Sequence, residues 1–345
     1  MPVRSQHRTD RRGEPKGTAA LALAAVLLGA SCPAARSPAA APPGGRCIVI
    51  DSDADLDDFR AVAALAPTGR IAAIVVTEGI ARAAEGAGAM EVLLRRGDLS
   101  VPVIPGAGPD PDRPYRPDER LPEWRANAER LNGLLPAPAA PSARAASDVA
   151  ADLRRHTAGC SSISLLVIGP WTSFVRYAAG VLGRIDGIVA QGRPYPDEPG
   201  GEPAGFNCVY DVDSCFAAFD LLAGRQQRAG PRFRADWVDI PNGPEACGAA
   251  EPGVDARGEP LYAFRPVEGW LQELDRAGGM ARVVATVLRA NPEGWKEMSL
   301  WDDLAALFLL RRDIFVLRGG HFEPCIPAAA VRTLLAVAMG RRGSR

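Results

Sequence analysis

Ile48-Val49-Ile50-Asp51-Ser52-Asp53-Ala54-Asp55-Leu56-Asp57-Asp58-Phe59 is the stretch whose reading decides the fold. The apolar run that opens it, Cys47 to Ile50, is short, β-branched and unbroken, the pattern of a strand buried on both faces. Five aspartates then crowd into the eight residues from Asp51 to Asp58. Such carboxylates repel one another unless a counter-ion intervenes, and oxygen donors suit hard divalent cations such as Ca2+ or Mg2+. A solvated acidic turn capping the next helix is the plainer alternative.

Outward from this loop, apolar runs alternate with helical patterns. Ile71–Val76, Val101–Ile104, Ser164–Ile168, Ile185–Ala190 and Arg234–Ile240 read as further strands. Helical periodicity covers Phe59–Leu65, Glu85–Arg96, Ser147–His156, Ser214–Leu222, Gly279–Arg289 and Asp302–Leu310. That alternation predicts an α/β fold: a mostly parallel, Rossmann-like open sheet with helices on both faces, its ligands beyond the carboxyl ends of the strands. The Pro/Gly-rich segments Pro105–Pro122 and Arg193–Ala204 are long enough to be functional insertions. No internal repeat is present.

The 345 residues carry a net charge of -1 and are 47% hydrophobic, enough for a sizeable core and without the basic surplus of a nucleic-acid binder. Residues 1–31 pass from a basic stretch into the apolar run Thr18–Ala30, which is too short to span a bilayer and reads as a signal peptide. Cys32 after Leu28-Gly29-Ala30-Ser31 resembles a bacterial lipoprotein box, so membrane attachment through a lipidated Cys32 is the alternative to free secretion. Residues 32–45 read as a flexible tether, and 46–345 as the folded domain. Export places the protein in the periplasm or on the cell envelope. The remaining cysteines show no zinc-ligand spacing and read as buried small residues with one bridge among them. His156 and His321 read as surface or loop histidines, and Trp124, Trp270 and Trp295 as packing or pocket-lining residues.

Two metal-loop families fit the Asp-rich segment poorly. An EF-hand starting at Asp51 wants Gly where Leu56 stands and Glu where Val62 stands. A haloacid-dehalogenase-type phosphatase shares the Asp-x-Asp after a strand, with Lys296 and Asp302-Asp303 as loose imitations of its later motifs, yet Leu56 and Asp57-Asp58 do not fit its loop. The pattern strand-Asp-x-Asp-x-x-x-Asp-Asp instead resembles the amino-terminal signature of the inosine-uridine nucleoside hydrolases, with Asp51, Asp53, Asp57 and Asp58 at its acidic positions. Gly169-Pro170-Trp171-Thr172, Ala204-Gly205-Phe206-Asn207 and Leu300-Trp301-Asp302 are weaker matches in the family's order, and the resemblance spans Arg46 to Leu310.

This resemblance implies a calcium-dependent glycosidase cleaving the N-glycosidic bond of a small ribosyl substrate, and a homo-oligomer. It implies Ca2+ held by Asp53, Asp58, Asp302 and the backbone oxygen of Thr172, Asp53 as general base on the hydrolytic water, and Asp57 and Asn207 on the ribose hydroxyls. Three positions depart from the family: Ile80 replaces its Asn, Gly205 its Glu, and Trp301 its His. Indole does not titrate in the working range, so Trp301 is expected to stack on a base rather than deliver a proton. A non-catalytic, Ca2+-dependent ribosyl-binding protein is the alternative reading.

Overall fold

The structure, a computed structural model, describes residues 45–109, 121–135, 146–193, 205–241 and 264–341. The expected signal peptide 1–31, the tether up to residue 44, Ala204, Cys247 and most of the two insertion loops lie outside the described residues. Strand β1 (Arg46–Ser52) leads through the Asp-rich loop to α1 (Leu56–Leu65), β2 (Ile71–Val76), α2 (Ala83–Arg96), β3 (Val103–Pro105) and α3 (Leu121–Leu134). Next come α4 (Ala146–His156), β4 (Ser162–Val167), α5 (Thr172–Val181), β5 (Ile185–Gln191), α6 (Phe206–Val209), α7 (Val212–Ala229) and β6 (Arg234–Val238). The chain continues with α8 (Glu268–Ala277), α9 (Gly279–Ala290), α10 (Pro292–Glu297), α11 (Trp301–Leu310), the strands β7 (Phe315–Arg318) and β8 (His321–Pro324), and α12 (Ala328–Gly340).

The eight strands form one sheet in the order β3-β2-β1-β4-β5-β6-β8-β7, parallel throughout except for the β7–β8 pair. Alternation of side chains assigns each strand to two cores at once. Ile48 and Ile50 of β1, Ile74 and Val76 of β2 and Leu166 of β4 pack on one face with α1, α2, α9, α11 and α12. Val49, Ala73, Val75, Leu165 and Val167 pack on the other face with α4, α5 and α7. Burial on both faces is why these strands read as continuous apolar runs.

Strand β1 sits between β2 and β4, with Ile50 opposite Ile74 on one side and Leu166 on the other. The strand order reverses there, so the loop after β1 opens at a topological switch point, where ligands bind in open α/β sheets.

Three expectations are corrected. Strand β3 begins at Val103 rather than Val101. His321 is no surface residue: the Gly319-Gly320 pair, at positive φ, turns a hairpin, and β8 carries His321 into the interior, where its Nε2 lies 2.9 Å from Glu323 Oε1. The bridges also exceed one. Cys47 pairs with Cys160 and Cys208 with Cys215, and Cys325 is disulfide-bonded as well. Sheet register accounts for the first, since Arg46 faces Ser162 and so brings the starts of β1 and β4 together.

Candidate functional site

The loop beyond β1 is built by its own carboxylates. Asp58, in the first turn of α1, accepts hydrogen bonds from the backbone N–H groups of Asp53 and Asp55, both at 3.1 Å. Asp53 turns the other way, and its Oδ2 accepts the Ile80 N–H at 2.8 Å. Two glycines make room for this. A Cβ on Gly79 would lie 2.2 Å from Asp53 Oδ2, and one on Gly169 would lie 2.7 Å from the Asp53 nitrogen. The Gly169-Pro170 turn is thus required by close backbone approach at the switch point.

Behind the loop, Asp51 is fully buried and accepts from Tyr177 Oη at 2.8 Å and from the Thr77 hydroxyl. Burial pushes its pKa up to about 7 although the two hydroxyls oppose the shift.

Helix α11 brings the last acid. The N-termini of α1 and α11 meet, and the carboxylate oxygens of Asp57, Asp58 and Asp302 lie within 4.8 Å of one another. The positive ends of both helices offset part of the repulsion. Burial first, and then the repulsion that remains, hold Asp53, Asp57 and Asp302 well above the ordinary carboxylate range. A buried set of oxygen donors at this spacing fits a hard divalent cation. The helix pair is itself pinned by Arg60, whose Nε and Nη2 donate to the Asp303 carboxylate at 2.8–3.1 Å and whose Nη2 also reaches the Ser299 carbonyl.

A cavity of about 690 Å3 opens over these acids. Asp53, Asp57, Asp58, Asp302, Asn207 and Trp301 all line it, so the structure gathers six of the expected site residues around one space. Thr172 does not line it: the residue is buried at the start of α5 and its hydroxyl donates to Asp211 at 2.7 Å. Asn207 is oriented by its amide nitrogen, which donates to Ile168 O at 3.2 Å and to Gln191 Oε1 at 3.1 Å. Ile80 lines the cavity too, and its backbone rather than its side chain serves Asp53. Of the tryptophans, Trp124 lines the cavity, whereas Trp270 and Trp295 are buried in packing.

Residues that sequence reading missed complete the wall. Helix α3, itself unforeseen, carries Trp124, already read as a packing or pocket-lining residue, edge-on to Phe206 with ring centroids 5.7 Å apart. The same helix supplies Arg125, whose guanidinium donates to the carbonyls of Gly79 and Ile80 and to Tyr210 Oη. Arg125 thereby fixes the turn that holds Asp53. On the opposite side Arg193 pairs with Asp239 at 3.1 Å.

Helix α6 carries Phe206 and Asn207 on only four residues, and a helix so short does not persist alone. The Cys208–Cys215 bridge ties it to α7. Cys208→Ser with Cys215→Ser should therefore loosen α6 and speed amide hydrogen exchange across Phe206–Val209 by roughly tenfold or more. Exchange there equal to that of the wild type would refute this role.

No family model and no curated protein matches this sequence. Solved structures do match. The chain is similar to an inosine-uridine preferring nucleoside hydrolase from Bacillus anthracis, with TM-score 0.55 and 12% identity over 86% of this chain and 99% of that one. A purine-preferring ribonucleoside hydrolase from Gardnerella vaginalis gives 0.55 and 13% over 86% and 99%. The type III effector protein XopQ, solved with adenosine diphosphate ribose, gives 0.54 and 15% over 87% and 93%. At these identities the likeness establishes the fold, which is the α/β fold of the nucleoside hydrolases.

Proposed function

We propose that this protein hydrolyses the N-glycosidic bond of a ribonucleoside or related ribosyl compound with the help of bound Ca2+. The observation that carries the reading is the meeting of Asp57, Asp58 and Asp302 beside Asp53 at the floor of a cavity large enough for a nucleoside. The nucleoside hydrolases among the fold's neighbours support it.

Asp53, Asp58 and Asp302 are the residues that would hold the cation. When bound, it supplies Lewis-acid chemistry that makes a water proton easier to remove and anchors a sugar diol. Asp53, held by the Ile80 amide, accepts the proton of the attacking water. Asp57 and Asn207 hold ribose hydroxyls and orient the anomeric carbon, and Trp301 offers a face for the base. The phosphatase alternative loses its support, because Asp303, which it would employ, is engaged by Arg60 in the interior.

The test is calorimetric. A carboxyl whose folded pKa is raised stabilises the fold while protonated, fully below about pH 4, and that stabilisation is lost as pH rises through the folded value. Asp53, Asp57 and Asp302 all shift in this direction. The cation-free protein should therefore lose stability toward pH 8, and Ca2+, which displaces these protons, should raise Tm more at pH 8 than at pH 5. No Ca2+-dependent Tm gain in the millimolar range, or no release of reducing ribose from any ribosyl compound, would overturn the proposal.

We further propose export, with cleavage before Cys32 leaving either a lipidated or a free terminus, and association as a homo-oligomer. The two disulfides between described residues support an oxidising compartment.

A further inference from the structure

Acids and aromatic rings dominate the cavity lining. Among the described residues it holds seven carboxyl groups, of Asp53, Asp55, Asp57, Asp58, Glu123, Asp239 and Asp302, against the single guanidinium of Arg193, which is paired with Asp239. Trp124, Phe206, Tyr210 and Trp301 supply the rings, with Phe206 5.4 Å from Tyr210 and 5.7 Å from Trp124. Even with one divalent cation held by Asp53, Asp58 and Asp302, the remaining carboxyls of the described lining, those of Asp55, Asp57, Glu123 and Asp239, outnumber its one guanidinium. The cavity therefore disfavours phosphate-bearing ligands and attracts cations, and its rings present faces that a flat cation prefers.

The titratable groups of the described lining are almost all carboxyls. No histidine, lysine or cysteine is present among its described residues. The Tyr210 hydroxyl is engaged with Arg125 and Glu78, and burial pushes its pKa up to about 12. A neutral base bonded to ribose needs a proton as it departs; in the proposed reading the carboxyls of Asp53, Asp57, Asp58 and Asp302 are taken up by the cation, the water and the ribose, and Asp239 is paired with Arg193, so few of these acids remain to give one.

Resting on the N-ribosyl hydrolase reading, we propose that the substrate is a cationic N-ribosyl compound whose base bears its positive charge on the nitrogen bonded to the sugar, as in an N-ribosylpyridinium. For such a substrate the water oxygen bonds to the anomeric carbon while the carbon–nitrogen bond breaks. The bonding pair passes to the ring nitrogen and cancels its charge, so the base leaves neutral without protonation. The water proton passes to Asp53 and then to solvent. Ribose, neutral base and one proton are the products. Trp124 and Trp301 contact the cationic ring by cation–π attraction, and Glu123 at the rim adds a counter-charge.

The experiment compares three ribosides on the full chain with Ca2+ present, scored for free ribose. They are nicotinamide riboside, its reduced dihydropyridine form, which keeps the shape without the charge, and p-nitrophenyl riboside, which is neutral but has a ready leaving group. Nicotinamide riboside should exceed both neutral compounds at least tenfold in kcat/KM, with the lowest KM. Glu123→Gln and Trp124→Leu should each shrink that advantage at least threefold by raising its KM. Equal or better use of p-nitrophenyl riboside, with the ratios unmoved in both variants, would overturn cationic recognition and leave the hydrolase reading standing. Cleavage of none of the three would overturn both.

Discussion

Asp53→Asn should leave the protein folded and lower kcat on p-nitrophenyl riboside by about 10^2- to 10^4-fold, the range that a positioned general base contributes. Asparagine keeps an oxygen to accept the Ile80 N–H, and the Asp53 backbone bond to Asp58 does not depend on the side chain. Geometry is therefore retained while the proton acceptor is removed. A longer side chain has little room, because the Asp53 carboxylate already takes the space that a Cβ on Gly79 would need. Asp53→Glu should consequently fail to restore the rate, although its basicity is right. The checks are kcat in saturating Ca2+ and circular dichroism of both variants. A variant Asp53→Asn within threefold of wild type would show that another group takes the water proton.

What was legible follows from how local each signal is. Strand β1 and its acidic loop are contiguous in sequence, and burial on both faces leaves an apolar run that ends directly at the aspartates. Asp302 was found only through resemblance, because nothing within its own helix says that α11 points at α1. Arg60 and Asp303 stand 243 positions apart, so their pairing leaves no spacing to read. Helix α3 was hidden for another reason. Only Leu121, Ala128 and Leu131 of its fourteen residues are buried, too sparse a stripe to stand out next to a proline-rich stretch. With it went Arg125, which fixes the turn that holds Asp53, and the helix that places Trp124 in the lining. His321 was misplaced because a Gly-Gly pair marks a hairpin turn as readily as a surface loop. The site's centre was therefore readable where one strand end holds it, and unreadable where distant helices complete it.

Arg60→Ala should cost about 3–5 kcal/mol of stability, the usual result of removing one partner from a buried ion pair. Both side chains are wholly inaccessible to solvent. Alanine would strand the Asp303 carboxylate inside the protein and leave the Ser299 carbonyl without the guanidinium that now donates to it. Arg60→Lys should recover little, since an ammonium cannot donate two parallel bonds to a carboxylate. The double variant Arg60→Met with Asp303→Leu should be nearly as stable as wild type, because replacing both charges with apolar groups removes the desolvation cost on each side. That pattern separates two roles of the pair. If the pair only holds α1 against α11, the double variant should also bind Ca2+ normally, since apolar packing keeps Asp57, Asp58 and Asp302 together. If the charges of the pair matter in their own right, Ca2+ affinity should change in the double variant, because Arg60 favours ionised Asp57 while Asp303 opposes it. Denaturant unfolding and Ca2+ calorimetry on the three variants decide it. An Arg60→Ala midpoint equal to wild type would show that the helices are held by their apolar contacts alone.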